Sequence, residues 1–458
     1  MLDTPTSPSV IPPYPARPKK ALNPLVALLK LRQNLLGIWH ERAFEQFMIP
    51  VKLPNRRVYV VNGVDAIKRV FLDNHDNYDP KSPQMRKALT PLLGDGLFVS
   101  DGDVWRRRRA MVAPAIAAAQ LPNYAPMMVA CAEETATNWR ALPAGATIDV
   151  LSEMAVLTAR IIGRTVFGDG ISEAEATRVV RGFSDYQAVI EQMDILSMLG
   201  APGWLQRDRN GKADAAAGEV QAMVDTILAR AGADKDAMRL AASLLNAAEG
   251  QEDNPAAAVR NEAIVLFMAG HETTANALAW TWALIAMRPD VEAKLHAEAD
   301  AVLENGRSAT LEDFQRLPYA RAVFEETLRL YPPVPLLSRE ARGDDILRGF
   351  PVSQGDIIVI APWLVQRHKA YWKEPDAFRP ERFLPGSAEP PPKFAYLPFS
   401  AGARVCLGAR FGLVEAVLCL ATLARDFRLK PVPEHKLEIE CRLTLRPKCG
   451  LPMTLERR

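Results

Sequence analysis

The strongest periodic signal in the chain runs over Asn254–Arg288, where apolar residues fill nearly every position of a helix of about 33 residues, roughly 50 Å long. Its flanks, Ala263–Gly270 and Ala275–Met287, are apolar all round, which predicts a buried central helix. The middle reads AGHETTAN, so His271, Glu272, Thr273 and Thr274 fall where an unpartnered polar group is costly. Helical spacing recurs in Leu121–Arg140, Met154–Phe167 and Ala215–Ala231. Strand-like runs are short: Arg57–Val61 behind a Pro54-Asn55 turn, Asp356–Ile360 after Gly349 and Gly355, and proline-separated pieces between Arg428 and Leu455. The pattern predicts a mainly α fold with a small β portion: one domain over residues 22–458, preceded by an extended, proline-rich tail over residues 1–21.

Composition narrows the setting. The chain has 458 residues, 48% hydrophobic and 24% charged, as expected of a soluble globular protein with a sizeable core. A formal net charge of +2 argues against wholesale nucleic-acid binding. The cysteines at 131, 406, 419, 441 and 449 form no C-x-x-C pair or framework spacing, which predicts a reducing, cytoplasmic setting. The apolar stretch Ala21–Leu29 is followed by Lys30 and Arg32, short of the roughly 20 residues of a spanning helix, so no integral membrane anchor is expected. An amphipathic Asn23–Trp39 remains compatible with a membrane surface.

Two places carry candidate chemistry. In the central helix, His271-Glu272 begins a zinc-protease pattern, but H-E-x-x-H needs histidine at position 275, where this chain has Ala275. The remaining reading is that Gly270 and the threonines let the helix bulge, with Glu272 and Thr273 relaying protons into a pocket. The bland reading is a few satisfied polar residues in a long helix. The second place is FSAGARVCLG, Phe399–Gly408. Helical spacing resumes after it, so Cys406 lies at or just before a helix N-terminus, which favours a thiolate. Gly402 and Gly408 permit a tight loop against a flat ligand, and Arg404 supplies a cation for a carboxylate at that ligand's edge. A cysteine thiolate is one of the ways haem iron is held; the bland alternative is a buried free cysteine.

Phe399-x-x-Gly402-x-Arg404-x-Cys406-x-Gly408 resembles the haem-binding signature of the cytochrome P450 family. In the family's order there also appear AGHETT (269–274), EETLR with Glu326 and Arg329, and PERF (380–383). The wording of these motifs is close to the fatty-acid hydroxylase branch. The resemblance implies haem b ligated by Cys406, proton delivery by Glu272 and Thr273, and a buried triad of Glu326, Arg329 and Arg382. It also implies propionate contacts from Trp105 and Arg109, four apart in WRRRR, and from Arg339. Arg106, Arg107 and Arg108 would then face elsewhere, either as a solvated basic face or, with Arg410, as a docking patch for an acidic electron carrier.

The implied activity is insertion of one oxygen atom from dioxygen into a hydrophobic substrate. Electrons would come from a separate ferredoxin or flavodoxin with its reductase, and the enzyme is expected to be a monomer. The expected pocket wall comprises Lys81–Phe98, Gly182–Trp204, Phe267, Ala269, Val334–Leu337 and Cys449–Leu451, all mainly apolar. Fatty acids, terpenoids, steroids and aromatic compounds all stay open as substrates. A peroxide-dependent peroxygenase would share the cysteine loop but have little need of Glu272 and Thr273. A non-enzymatic haem sensor would not need them either.

Overall fold

The computed structural model describes residues 10–458 apart from 24–25, 28–29, 31–33, 54–55, 169–170, 191–206, 232–238 and 442. Pro54 and Asn55, the first nine residues of the tail and much of the Gly182–Trp204 wall thus lie outside the described residues. The longer helices are α1 (Pro83–Leu93), α2 (Gly102–Val112), α3 (Leu121–Ala141), α4 (Val150–Phe167), α5 (Glu173–Val189) and α6 (Arg207–Ala231). They continue with α7 (Arg239–Ala248), α8 (Pro255–Ala286), α9 (Pro289–Val302), α10 (Pro318–Leu330) and α11 (Ala409–Asp426). The fold is mainly α, as its periodicity predicts.

The central helix α8 has 32 residues and starts as its sequence dictates. Asn254 caps it by accepting the Ala257 amide at 3.1 Å, and Pro255, lacking an N–H, takes a first-turn position. The expected bulge is absent: the helix is continuously α through residues 256–286. Gly270 serves another purpose. A Cβ there would stand 2.7 Å from Ile162 Cδ1, so the missing side chain lets α4 cross closely. Further along, Trp280 stacks on Tyr331 at 4.0 Å between centroids and 4° between planes.

The β portion is divided among four small sheets among the described residues. Strands β1 (Met48–Lys52) and β2 (Arg57–Val61) form the expected hairpin, with β2 parallel to β7 (Ile357–Ile360) and β7 antiparallel to β4 (Leu337–Glu340). Of the remaining strands, β3 (Thr147–Asp149), β11 (Pro452–Arg457) and β8 (Phe427–Pro431) form a second sheet. Hairpins β5 (Asp345–Leu347) with β6 (Phe350–Val352), and β9 (Ile439–Cys441) with β10 (Leu445–Pro447), complete the set among the described residues.

Residues 10–18 carry no helix or strand, and they are docked. Tyr331 donates its hydroxyl to the Pro13 carbonyl at 2.5 Å, and the Phe378 amide donates to Val10 at 3.2 Å. Arg17 forks onto Asp376 at 2.9 and 2.5 Å while lying 3.8 Å over the Phe44 ring. Among the described residues, no helix is long and apolar enough to cross a membrane.

Candidate active site

The loop carrying Cys406 is tied shut by its own backbone, since the Cys406 amide donates to the Phe399 carbonyl at 2.9 Å. Helix α11 begins at Ala409 with Gly408 as its cap, so Cys406 lies two residues ahead of the cap and its Sγ accepts the Gly408 amide. Gly402 is demanded by the chain: at φ 72° a Cβ would sit 1.8 Å from the Phe71 carbonyl oxygen. The expected close approach to a flat ligand therefore does not explain this residue. Gly408 differs, because a Cβ there would meet nothing nearer than Cys406 Sγ at 4.0 Å. It leaves room immediately beside the sulfur.

Cys406 is exposed, yet burial pushes its thiol pKa up against the opposing effects of the Gly408 amide and Arg109. The two facts agree if its accessible surface faces an internal chamber instead of bulk water. The expected thiolate is thus not produced by the polypeptide alone; a cation on Sγ would stabilise it. The central helix opens in the same way. From Ala258 to Ile285 it is buried almost throughout, but Ala269 is exposed and Gly270, Glu272 and Thr273 are half-buried. A Cβ on Gly412, one turn into α11, would come within 3.9 Å of Thr274 Oγ1, so the two elements meet next to these openings.

Around the loop gathers positive charge. Trp105 has two guanidinium groups near its ring, Arg404 at 4.2 Å and Arg109 at 5.5 Å. Arg109 donates through both terminal nitrogens to the Val405 carbonyl at 3.2 Å. Arg404 is already engaged by a protein carboxylate: it donates to Asp79 at 2.7 and 2.9 Å and to the Ser100 carbonyl at 2.7 Å. Arg339 is buried and its guanidinium donates to the Ser338 carbonyl at 2.9 Å. Burial and the neighbouring Arg404 bring its pKa down to about 10.

Lys81, which sequence reasoning placed only in the pocket wall, belongs to this group. Its ammonium lies 3.9 Å over the Phe98 ring, and burial with Arg339 and Arg404 nearby holds its pKa well below the usual lysine range. Lys81, Arg339 and Arg404 thus crowd around one carboxylate, Asp79, which also receives Arg342 at 3.1 Å and the Gly102 amide at 2.9 Å. Desolvated cations in such excess fit an anionic group with more than one carboxylate. Together with the accessible sulfur, the room beside Gly408 and the cationic cluster, the residues fit haem b.

The acid and alcohol of the central helix are both committed elsewhere. Glu272 accepts from Gln187 at 2.7 Å and from Thr444 at 2.6 Å, while Thr273 donates back to the Ala269 carbonyl at 2.6 Å. His271 is buried against Phe267 with neither ring nitrogen bonded, and burial brings its pKa down to about 4. Phe267 is itself only 1% exposed and packs towards Phe167, so it does not line the opening as expected, whereas Ala269 does. Arg108 departs from its predicted surface patch. It is buried, forked onto Asp95 at 2.8 and 2.9 Å, and 3.8 Å from Glu262.

The chain belongs to the cytochrome P450 family, whose model matches residues 19–451. It is similar to cyclooctatin synthase of Streptomyces melanosporofaciens, 33% identical over 407 residues, covering 87% of this chain and 86% of that one. Cyclooctat-9-en-7-ol 5-monooxygenase of the same organism is 34% identical over 399 residues, covering 84% and 83%. Human cytochrome P450 4V2 is 30% identical over 414 residues, covering 85% and 78%. The protein is accordingly a monooxygenase, and its family implies a haem ligated by cysteine thiolate.

Proposed function

We propose that the chain inserts one oxygen atom of dioxygen into a hydrophobic molecule, with electrons from a separate ferredoxin or flavodoxin and its reductase. The observation that carries this reading is that Cys406 is accessible on its half-buried loop while Ala269, Gly270, Glu272 and Thr273 open a window in a central helix otherwise buried. When bound, haem b supplies the binding and reductive cleavage of dioxygen. Cys406 would hold its iron, with Phe399 and Gly408 framing the loop. Lys81, Arg339, Arg404 and Arg109 would face its carboxylates, with Trp105 packed against two of the guanidinium groups. Thr273 would hold a hydrogen bond in the chamber, and Glu272 would exchange protons with water and pass them on.

An acidic carrier protein is the partner this surface favours, through Arg106, Arg107 and Arg410, with Arg108 withdrawn into the interior. We place the enzyme in the cytoplasm as a monomer. The relatives named for cyclooctatin and cyclooctat-9-en-7-ol favour substrates of that kind over the fatty acids suggested by motif wording.

The test is a reconstituted assay that follows NADPH consumed, peroxide formed and product formed with a compound that perturbs the haem spectrum. Thr273→Ala should divert flux from product to peroxide, and Cys406→Ser should abolish the red-shifted band of the reduced carbon monoxide complex. An unchanged ratio of product to NADPH in the first variant refutes the relay. An unchanged band in the second refutes the ligand.

A further inference from the structure

One ring of the pocket wall is held by a charge. Lys81 places its ammonium 3.9 Å over the Phe98 ring, and among the described residues that ammonium donates no hydrogen bond. The backbone around Lys81 is pinned on both sides. The Pro80 carbonyl accepts the Glu340 amide of β4 at 2.9 Å. Ser82 accepts the Met85 amide at 3.4 Å as the cap of α1, and its hydroxyl meets that of Ser338 on β4 at 2.8 Å. Phe98 is fixed from the other direction, because its loop runs against the central helix. The Leu97 amide donates to Glu262 at 2.8 Å, and a Cβ on Gly96 would stand 2.9 Å from Val265 Cγ2. Val265 and the exposed Ala269 are four apart and share one face of α8. The Phe98 ring thus stands between the cations Lys81, Arg339 and Arg404 and the open stretch of the central helix.

A half-buried ring with an uncovered face can be turned or pushed aside by a molecule that enters beside it. A cation over that face resists the movement. An ammonium inside the protein is costly without an acceptor, and the negative face of the ring supplies part of the missing compensation, so each group holds the other in place. We propose that Lys81 is a positioning residue for substrate selection: its ammonium pins the Phe98 ring, and the pinned ring sets the width of the chamber beside Ala269. Lys81 touches no reacting atom in this role; it acts through the ring, which then sorts hydrophobic molecules by bulk. The inference deepens the reading of this region as a haem chamber and rests on it.

The experiment uses haem-loaded protein labelled with fluorophenylalanine, as the diamagnetic ferrous carbon monoxide complex. The variants are Lys81→Met, Lys81→Arg, Phe98→Leu and Lys81→Met/Phe98→Leu. In fluorine NMR, Phe98→Leu identifies the Phe98 signal by its disappearance. Lys81→Met keeps an unbranched side chain and removes the charge, so the signal should shift; Lys81→Arg should move it back towards the parent position. Imidazole and phenylimidazole, titrated optically against the ferric protein, report the width of the chamber. The ratio of their dissociation constants should change at least about threefold in Lys81→Met, towards the smaller end of what a cation over a ring is worth, and return in Lys81→Arg. In the Phe98→Leu background, Lys81→Met should leave the ratio alone. Trifluorophenylalanine placed at position 98 weakens the negative face of the ring and leaves Lys81 intact, so it should reproduce the changed ratio even where Lys81→Met retains too little haem to titrate. A parental ratio with trifluorophenylalanine, or an unmoved Phe98 signal in Lys81→Met, overturns the proposal. So does a change of ratio that persists undiminished in the Phe98→Leu background, since Lys81 would then act without the ring. If neither probe perturbs the parent's haem spectrum, the chamber reading itself fails, and the proposal with it.

Discussion

Two buried clusters of charge in this protein use the same residue types to opposite ends. In the first, Arg329 places all five of its N–H groups: onto Glu326 at 2.6 and 2.7 Å, and onto the carbonyls of Gln366, Pro375 and Ala377 at 2.8, 2.6 and 2.9 Å. Glu326 also accepts the Arg379 amide at 2.8 Å and lies 3.5 Å from Arg382. In the second, Arg108 forks onto Asp95 but leaves Nε and one terminal nitrogen without a hydrogen bond. Glu262 accepts the Leu97 amide at 2.8 Å through one oxygen, and its other oxygen has no partner. Every N–H of Arg329 is placed and those of Arg108 are not, although Arg382 Nε of the first cluster also lacks a hydrogen bond and Asp95 of the second is half exposed. The first cluster locks α10 to the segment that leads into the cysteine loop; the second keeps a proton in play, since burial pushes Glu262 up to about 8.

The largest effect should come from breaking the lock. Glu326→Ala strands a fully buried guanidinium and orphans the Arg379 amide, so unfolding free energy should fall by about 3–5 kcal/mol. Glu389→Ala, which removes a half-buried partner of Arg382 at 3.4 Å, should cost under about 1 kcal/mol. Urea unfolding of the haem-loaded proteins measures both. Equal losses would mean that the number of placed hydrogens does not set the difference.

How much of this contrast can be read in the sequence depends on separation along the chain. Glu326 and Arg329 are three apart on one helix, so their pairing follows from helical geometry alone. The central helix is equally legible, bounded by Pro255 and Pro289 and apolar on both flanks. WRRRR is not: four like residues stand in a row, and only the approach of Asp95 and Glu262 from other elements selects Arg108 for burial. Lys81, Arg339 and Arg404 are likewise far apart in sequence, and a cation in a string of letters does not announce its neighbours. The role of Gly270 depends on Ile162 of another helix, which is why a bulge was the natural expectation. Prolines predict an extended N-terminal segment, but nothing in them says that Tyr331 and Asp376 receive it.

A middle-sized effect should separate the clusters by pH. Glu262, lying near 8 in the folded protein, stands above its ordinary value of 4.5, so between these limits the folded state holds a proton that the unfolded state has lost. Its stabilising contribution is full below the lower limit and is lost as pH rises through the folded value. Arg108, Asp95 and Glu252 are the charged groups that bear on it, and Arg108 offsets part of the loss by favouring the charged form. Glu262→Gln should therefore flatten the fall in stability between pH 5 and pH 8 by roughly 3–4 kcal/mol relative to the parent. Urea midpoints at several pH values give the difference directly. An identical slope in parent and variant would show that Glu262 is as fixed in charge as the lock.

The smallest effect tests whether position on one helix can substitute for burial. Arg106 lies two residues before Arg108 on α2, with its side chain 58% exposed and paired to the still more exposed Asp103. Both charges stay hydrated, so their attraction is weak and screened by salt. Arg106→Ala should change stability by less than about 0.5 kcal/mol, and by less again in high salt, whereas Arg108→Ala removes a guanidinium that reaches three acidic residues from inside the fold. The same Arg106 variant should slow reduction by an acidic carrier protein and reduce the salt dependence of that step, because an outward cation can serve a partner where an inward one cannot. If Arg106→Ala destabilises the protein as much as Arg108→Ala, the exposed pair is part of the buried cluster's network. If it leaves the salt dependence of reduction unchanged, the outer face of α2 is solvated surface and carriers dock elsewhere.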